Sequence, residues 1–335
     1  VVQKKGCKNM ELTNQESVKK SFVGEMKFLL KDPTTPDLFA LLDSRPELPT
    51  AYPSFMVSGY CGPRTDVGSS PWRAAQALYT VASGLCAMEP ALQEPLSRWP
   101  RTDTLVVLPE AGEDFNAYYD GQALRFFFGK DPVTQQVVYA ADATDVVAHE
   151  FGHGLLDALR PDLWSTQALE VWAFHEAFGD LTAIFTIMTY DGILRRALQE
   201  TGGDLMKSNI ISKLAAQLGN AIYHVVGGRD GYQPDSLRQA NNSFVYQTPE
   251  TLPQYAPDNQ LAAECHSFGR VFVGAYYEIM NRIFAKERAA GGDDVAILKR
   301  VRAIMAEMLV RSVIHAAATP RFYDSVARAI LAYDQ

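Results

Sequence analysis

Residues 146–159 read VVAHEFGHGLLDAL, and their two histidines constrain the fold more than any other feature of the chain. His149 and His153 are four apart, so on a helix they lie one above the other on the same face. Val146, Val147, Phe151 and Leu155 add apolar character on most sides, which predicts a buried helix. Its run from Asp145 to Leu159 is predicted to end at Arg160, because Pro161 pushes the residue before it out of the helical region. Gly152 and Gly154 each cost about 1 kcal/mol relative to Ala in a helix interior, so something other than propensity retains them. Two imidazoles placed this way can bind one tetrahedral zinc, and Glu150 can reach a water on the open fourth position. The bland alternative is a pair of buried or surface histidines.

A third ligand is then required. Neither Leu156 nor Leu159 can ligate, which excludes the HExxHxxGxxH arrangement. Downstream, residues 166–188 (TQALEVWAFHEAFGDLTAIFTIM) read as a second helix, with Glu176 and Asp180 again four apart. A carboxylate from this neighbouring helix would complete a His2Glu site with one position left for water. Asp180, one turn on, can accept the free ring N–H of a ligating histidine. The alternative is a solvated acidic face, but Trp172, Phe174, Phe178, Leu181 and Ile184 surround both acids.

A chain of 335 residues favours two domains. Residues 11–100 mix short apolar segments with breakers, interrupted by one clear helix, PWRAAQALYTVASGLCAM (71–88). Strand-like runs follow at 104–110, at 122–129 after a turn at Asp120-Gly121, and at 135–141. From there the pattern is helical, with stripes over 268–289, over 293–317 behind the caps Asp293 and Asp294, and over 321–333. The reading is an α+β fold, with a strand-rich first domain (1–161) and an all-helical second domain (162–335). A net charge of -8 argues against a nucleic-acid partner. No apolar run reaches the ~20 residues needed to span a bilayer, and the first residues do not read as a signal peptide. Cys7, Cys61, Cys86 and Cys265 are scattered without a CxxC pair and allow one or two disulfides. His224 and His315 sit singly among apolar neighbours and are expected to lie outside the chemistry.

The segments DVVAHEFGH (145–153) and HEAFGD (175–180) together resemble the thermolysin family of zinc peptidases. A second stretch, FNAYYDGQALRFFFG (115–129), is similar to that family's edge strand, which binds substrate backbone by strand addition. The resemblance is good from about Trp72 to Ile187 and patchier afterwards. It implies a thermolysin-like fold with the cleft between a β-rich lobe and a helical lobe. It implies one zinc ion on His149, His153 and Glu176, with Glu150 as general base and His175 beside Asp180 in the supporting layer. Asn116 and Ala117 would bind substrate, Arg238 would donate to its carbonyl, and Val146 and Leu237 would wall an apolar S1' pocket. In ECHSFGRVFVGAYYEI (264–279) the family's second catalytic histidine corresponds to His266, displaced by one residue, with Cys265 at the expected place. Asp258 would orient His266, and Trp164 stands where a tyrosine usually stabilises the tetrahedral intermediate.

Asp145 matches an acid that binds calcium in secreted members, but Ile187 occupies another ligand position, so no double calcium site is expected. The implied activity is endopeptidase hydrolysis of peptide or protein substrates with an apolar P1' residue. The resemblance leaves room for an inhibitory propeptide and leans towards secretion. The competing readings are a catalytically impaired relative that binds peptides in the cleft and a purely structural zinc site.

Overall fold

The computed structural model describes residues 10–12, 25–42, 52–92, 94–228 and 233–333. Strands dominate before residue 140 and helices after it, which is the α+β architecture expected from the sequence. A five-stranded sheet runs in the order β1 (Met10–Leu12), β4 (Phe55–Val57), β5 (Leu105–Leu108), β7 (Ala123–Phe126), β6 (Ala117–Tyr119). Strands β4, β5 and β7 are parallel, while β1 and β6 pair antiparallel at the two edges. Phe55, Val57, Leu105, Val107, Leu124 and Phe126 are fully buried, the two-residue alternation of a sheet with one face on the core. Two hairpins complete the strands, β2 (Met26–Leu29) with β3 (Phe39–Leu42) and β8 (Phe128–Lys130) with β9 (Val137–Tyr139). The apolar run 122–129 reads as one strand, but the chain leaves the ladder at Phe127. Three consecutive phenylalanines cannot all face one side, and Phe128 turns away to pack its ring 5.0 Å from Tyr139.

Strand β6 is kept at the edge by a tight turn. Asp120 Oδ1 accepts from the backbone N–H of Gln122 (3.0 Å) and Ala123 (2.8 Å), and Gly121 takes φ +93°. Phe127 N donates to Asn116 O and Asp120 N donates to Ala123 O, so alternate residues from Asn116 to Asp120 face the ladder. The N–H and C=O of Ala117 therefore point out of the sheet.

Among the described residues the helices are α1 (Ser70–Met88), α2 (Thr144–Leu159), α3 (Leu169–Ile187), α4 (Asp191–Thr201), α5 (Ala216–Val226), α6 (Cys265–Ala289), α7 (Asp294–His315) and α8 (Phe322–Tyr333). The Ser69 side chain caps α1 by accepting from Trp72 N, with Pro71 in the first turn, and Asp293 caps α7 through Ala296 N. Helix α3 is apolar nearly all round and lies at the centre of the core. Its Phe174 ring meets Phe272 of α6 at 5.0 Å and Phe322 of α8 at 5.1 Å.

The crossing of α2 and α3 explains one of the two helical glycines. A Cβ on Gly152 would lie 2.8 Å from Gly179 Cα, so this position must be glycine for the helices to approach. At Gly154 the nearest atom to a Cβ is a Tyr119 ring carbon at 3.7 Å, ordinary contact, so sterics do not require glycine there.

The second half is not wholly helical. A two-residue ladder pairs β10 (Lys213–Leu214) with β11 (Arg238–Gln239), too short to leave a periodic signal in the sequence. Its bonds, including Leu237 N to Leu214 O at 2.9 Å, hold Arg238 where its guanidinium reaches Asp180 of α3. His224 is not alone among apolar neighbours, because its Nδ1 lies 2.8 Å from Asp131 Oδ2 in the turn before β9. His315 is exposed at the end of α7. Cys61 is disulfide-bonded, Cys86 and Cys265 form no disulfide, and Cys7 lies outside the described residues.

Candidate active site

Helices α2 and α3 bring three side chains to one point. His149 Nε2 and His153 Nε2 are 3.1 Å apart. Glu176 reaches them from α3, with Oε2 3.5 Å from His149 Nε2 and Oε1 3.7 Å from His153 Nε2. One ligating atom from each of the three lies within 4.8 Å of the others, a spacing that a single metal ion can close. Glu176 Oε2 is buried with no hydrogen-bond partner among the described residues. An orphaned carboxylate oxygen beside two imidazole nitrogens is costly unless a cation or proton joins them.

The supporting layer follows from the same two helices. His149 Nδ1 lies 2.8 Å from Asp180 Oδ1. The Arg238 guanidinium grips the same carboxylate, Nη2 to Oδ1 at 2.6 Å and Nε to Oδ2 at 2.8 Å. Burial alone would push Asp180 up, but Arg238 and His149 outweigh it and hold the acid at about 2. Burial likewise opposes charge on His149, yet its bonds to Asp180 and Glu176 raise it to about 9. Burial dominates at His153 and lowers it to about 3. Arg238 is thus first a clamp on Asp180, and it lines the cleft beside that carboxylate.

His175 supports His153 by packing. Its ring stacks on His153 at 5.8 Å, and both its nitrogens are buried without partners among the described residues. Burial lowers it to about 4.

Glu150 sits on α2 between the ligand-like histidines. It is 6 % exposed, and its Oε2 has no hydrogen-bond partner among the described residues. Burial raises its carboxyl to about 7, the range in which a carboxylate can take a proton and return it near neutral pH.

A cleft of about 750 Å³, lined by His149, Glu150, Asp180 and Arg238, opens beside this cluster. Asn116 and Ala117 form one rim, where the Ala117 N–H, turned out of the ladder, donates to Asn116 Oδ1 at 2.9 Å. Val146, Ala183, Leu214, Leu218, Ile222 and Leu237 make an apolar wall. On the opposite lip, His266 Nε2 lies 3.5 Å from Glu176 Oε2, although the side chain is 57 % exposed. Partial burial opposes its charge, but Glu176, the Cys265 thiol and Glu264 raise it to about 11.

Two sequence expectations change here. The acid that orients His266 is Glu264, whose Oε1 lies 2.6 Å from His266 Nδ1, whereas Asp258 is bound by Arg270 at 3.0 Å. Glu264 also caps α6 through His266 N and Ser267 N, which leaves its carboxylate beside the imidazole. A glutamate two residues before a histidine is too common a pattern to be noticed in the sequence. Trp164 does not line the cleft. Its indole packs edge-on against Tyr119 (5.3 Å), Trp172 (5.7 Å) and His175 (5.9 Å), in an aromatic cluster behind His153.

Asp145 also lines the cleft, but its charge is met internally. Lys31 Nζ lies 2.7 Å from its Oδ2, and Ala215 N donates to the same oxygen. Ile187, at the other position compared with calcium ligands, is fully buried.

Residues 104–157 match the family model described as thermolysin metallopeptidase, catalytic domain. The match runs from β5 through the edge strand β6 to the end of the His149–His153 helix. That segment, 54 of the 335 residues, is similar to the thermolysin metallopeptidases, and the α+β fold around it is consistent with that class. No curated protein matches the chain. Glu176, Arg238 and His266 lie outside the matched segment, and their assignment rests on geometry. No helix among the described residues is long and apolar enough to cross a membrane.

Proposed function

We propose that the protein is a zinc-dependent endopeptidase with an apolar S1' pocket. The observation that carries this reading is the convergence of His149, His153 and Glu176 beside Glu150, whose buried Oε2 has no hydrogen-bond partner among the described residues, next to a cleft lined by His149, Glu150 and the sheet edge at Asn116 and Ala117. Three protein ligands with a free acid alongside fit a catalytic site better than a structural one, which is normally closed by four. A zinc ion held by these three residues would supply Lewis acidity, polarising a scissile carbonyl and easing proton loss from a water.

The chain's own groups do the rest. Glu150 takes the water's proton at its free oxygen and later passes it to the leaving amine. The Asp180–Arg238 pair fixes the ring of His149, and the His175 stack restricts His153. Ala117 offers its outward C=O to an extended substrate backbone, and its N–H follows once a substrate carbonyl replaces Asn116 Oδ1 as its acceptor. A P1' side chain enters the wall formed by Val146 and Leu237. His266, held as imidazolium by Glu264, donates to the oxyanion as it develops.

Cleavage of an internally quenched peptide with Leu or Phe at P1' tests the reading. Hydrolysis should stop on treatment with a zinc chelator and return with added zinc. Unchanged cleavage in fully chelated protein contradicts it, and absence of cleavage with zinc bound favours a peptide-binding module.

A further inference from the structure

Lys31 follows β2, is 2 % exposed and does not line the cleft. Its ammonium joins two different elements. Nζ lies 2.7 Å from Asp145 Oδ2, in the first turn of α2, and donates at 2.6 Å to the carbonyl of Lys213 in β10. The same Asp145 oxygen accepts from Ala215 N at 2.7 Å. Ala215 takes φ +50°, a left-handed conformation that a residue with a Cβ keeps only where its surroundings hold it. Lys213 and Ala215, on either side of Leu214, are thus tied to the first turn of α2. Leu214 stands in register with Arg238 across the ladder and accepts from Leu237 N. Val146 follows Asp145 directly on α2. The apolar wall therefore has one side on α2, at Val146, and another on the ladder, at Leu214 and Leu237. The Lys31 ammonium joins the two sides from outside the cleft.

We propose that Lys31 is a positioning residue that sets the width of the P1' pocket, and with it the preference for a large apolar P1' residue over a small one. Without the ammonium the Lys213 carbonyl loses its donor, and Leu214 and Leu237 shift relative to Val146. Dispersion contacts weaken steeply over an ångström, so the wall then grips a Leu side chain less well. Arg238 keeps both its bonds to Asp180, so the His149 end of the ladder stays in place. Selection among substrates is lost before chemistry is. The substrate class rests on the peptidase reading above; the pinning of the wall does not.

The test compares two peptides that differ only in Leu or Ala at P1', with the zinc-loaded full chain. The variant is Lys31→Met with Asp145→Asn, because Lys31→Met alone leaves a buried carboxylate uncompensated. A ratio of kcat/KM values within one preparation does not depend on how much of it is folded. The native chain should prefer Leu on the order of a hundredfold, and the paired variant should lose about tenfold of that preference at unchanged zinc content. Lys213→Ala should keep the native ratio, because Lys213 meets Lys31 through its backbone and its own ammonium pairs with Asp235 at 2.7 Å. A native ratio in the paired variant, an equal loss in Lys213→Ala, or a loss of zinc along with the preference overturns the proposal. Calorimetry of the same two peptides on a Glu150→Gln background reads the pocket without hydrolysis, and the affinity ratio should fall in the same way when the pair is replaced. If the native zinc-loaded chain cleaves neither peptide, the peptidase reading fails and this affinity ratio alone decides the role of Lys31.

Discussion

The Cβ that Gly179 lacks would lie 2.8 Å from both Nδ1 and Cε1 of His149. Glu176 and His149 can face each other because α3 presents no side chain at the point where the imidazole passes. Gly152 makes the reciprocal opening on α2, against Gly179 Cα.

A contrast between glycines on one helix follows. Gly152→Ala forces the α2–α3 crossing apart and should cost about 1–3 kcal/mol, the usual penalty of overpacking. Gly154→Ala meets only ordinary contact and should be neutral or stabilise by about 0.4–1 kcal/mol through the unfolded chain. Urea denaturation of the two variants checks this; equal destabilisation would refute the account of the crossing.

Lys31 and Asp145 should behave as a unit. Both are buried, and Lys31→Met leaves the Asp145 carboxylate uncompensated, at a cost of about 3–5 kcal/mol. Adding Asp145→Asn should recover much of that loss, since the two positions are directly coupled. Thermal melts of the single and double variants, with and without a calcium chelator, should show this recovery and no effect of the chelator. A melting temperature that falls when calcium is removed would contradict the internal pairing.

The Asp131–His224 pair predicts an acid limb in stability. Burial pushes Asp131 up, but its bonds to His224 and to the backbone N–H groups of Thr134 and Val133 outweigh it and hold the acid at about 2. A carboxyl depressed on folding stabilises above its unfolded pKa, and that contribution disappears as pH falls through the folded value. The window therefore runs from about pH 4 down to about pH 2. His224→Phe should raise the Asp131 carboxyl, read by carbon-13 NMR titration, and move the acid unfolding midpoint upward. An unmoved Asp131 titration would sink the assignment.

How much of this was legible in the sequence depended on whether a feature left a period or a ligand pattern. The helix of His149 and His153 and the helix of Glu176 were legible, because ligand spacing and helical spacing coincide there. The edge strand was legible only through the resemblance of residues 115–129 to the thermolysin family, because three residues carry too little alternation of their own. The ladder that seats Arg238 was not, because two residues carry no alternation. Lys31 reads as a surface lysine in LLKDP, and nothing local shows that Asp145 waits for it. Trp164 stands in a short irregular stretch whose direction is set by distant aromatic rings. Glu264 is both helix cap and partner of His266, and only the first role has a local signature.

The central claim is the division of labour between Glu150 and Glu176. One points its free oxygen into the site without converging on the ligand point, and the other converges on it. The most direct measurement is zinc content together with the rate of cleavage of a peptide carrying an apolar P1' residue, in the native chain, Glu150→Gln and Glu176→Gln. Glu150→Gln should keep one zinc and the native fold while losing activity by about 10²–10⁴-fold, the usual worth of a general base. Glu176→Gln should lose zinc affinity, activity and thermal stability together. Cleavage by Glu150→Gln at the native rate, with zinc bound, would contradict the mechanism outright.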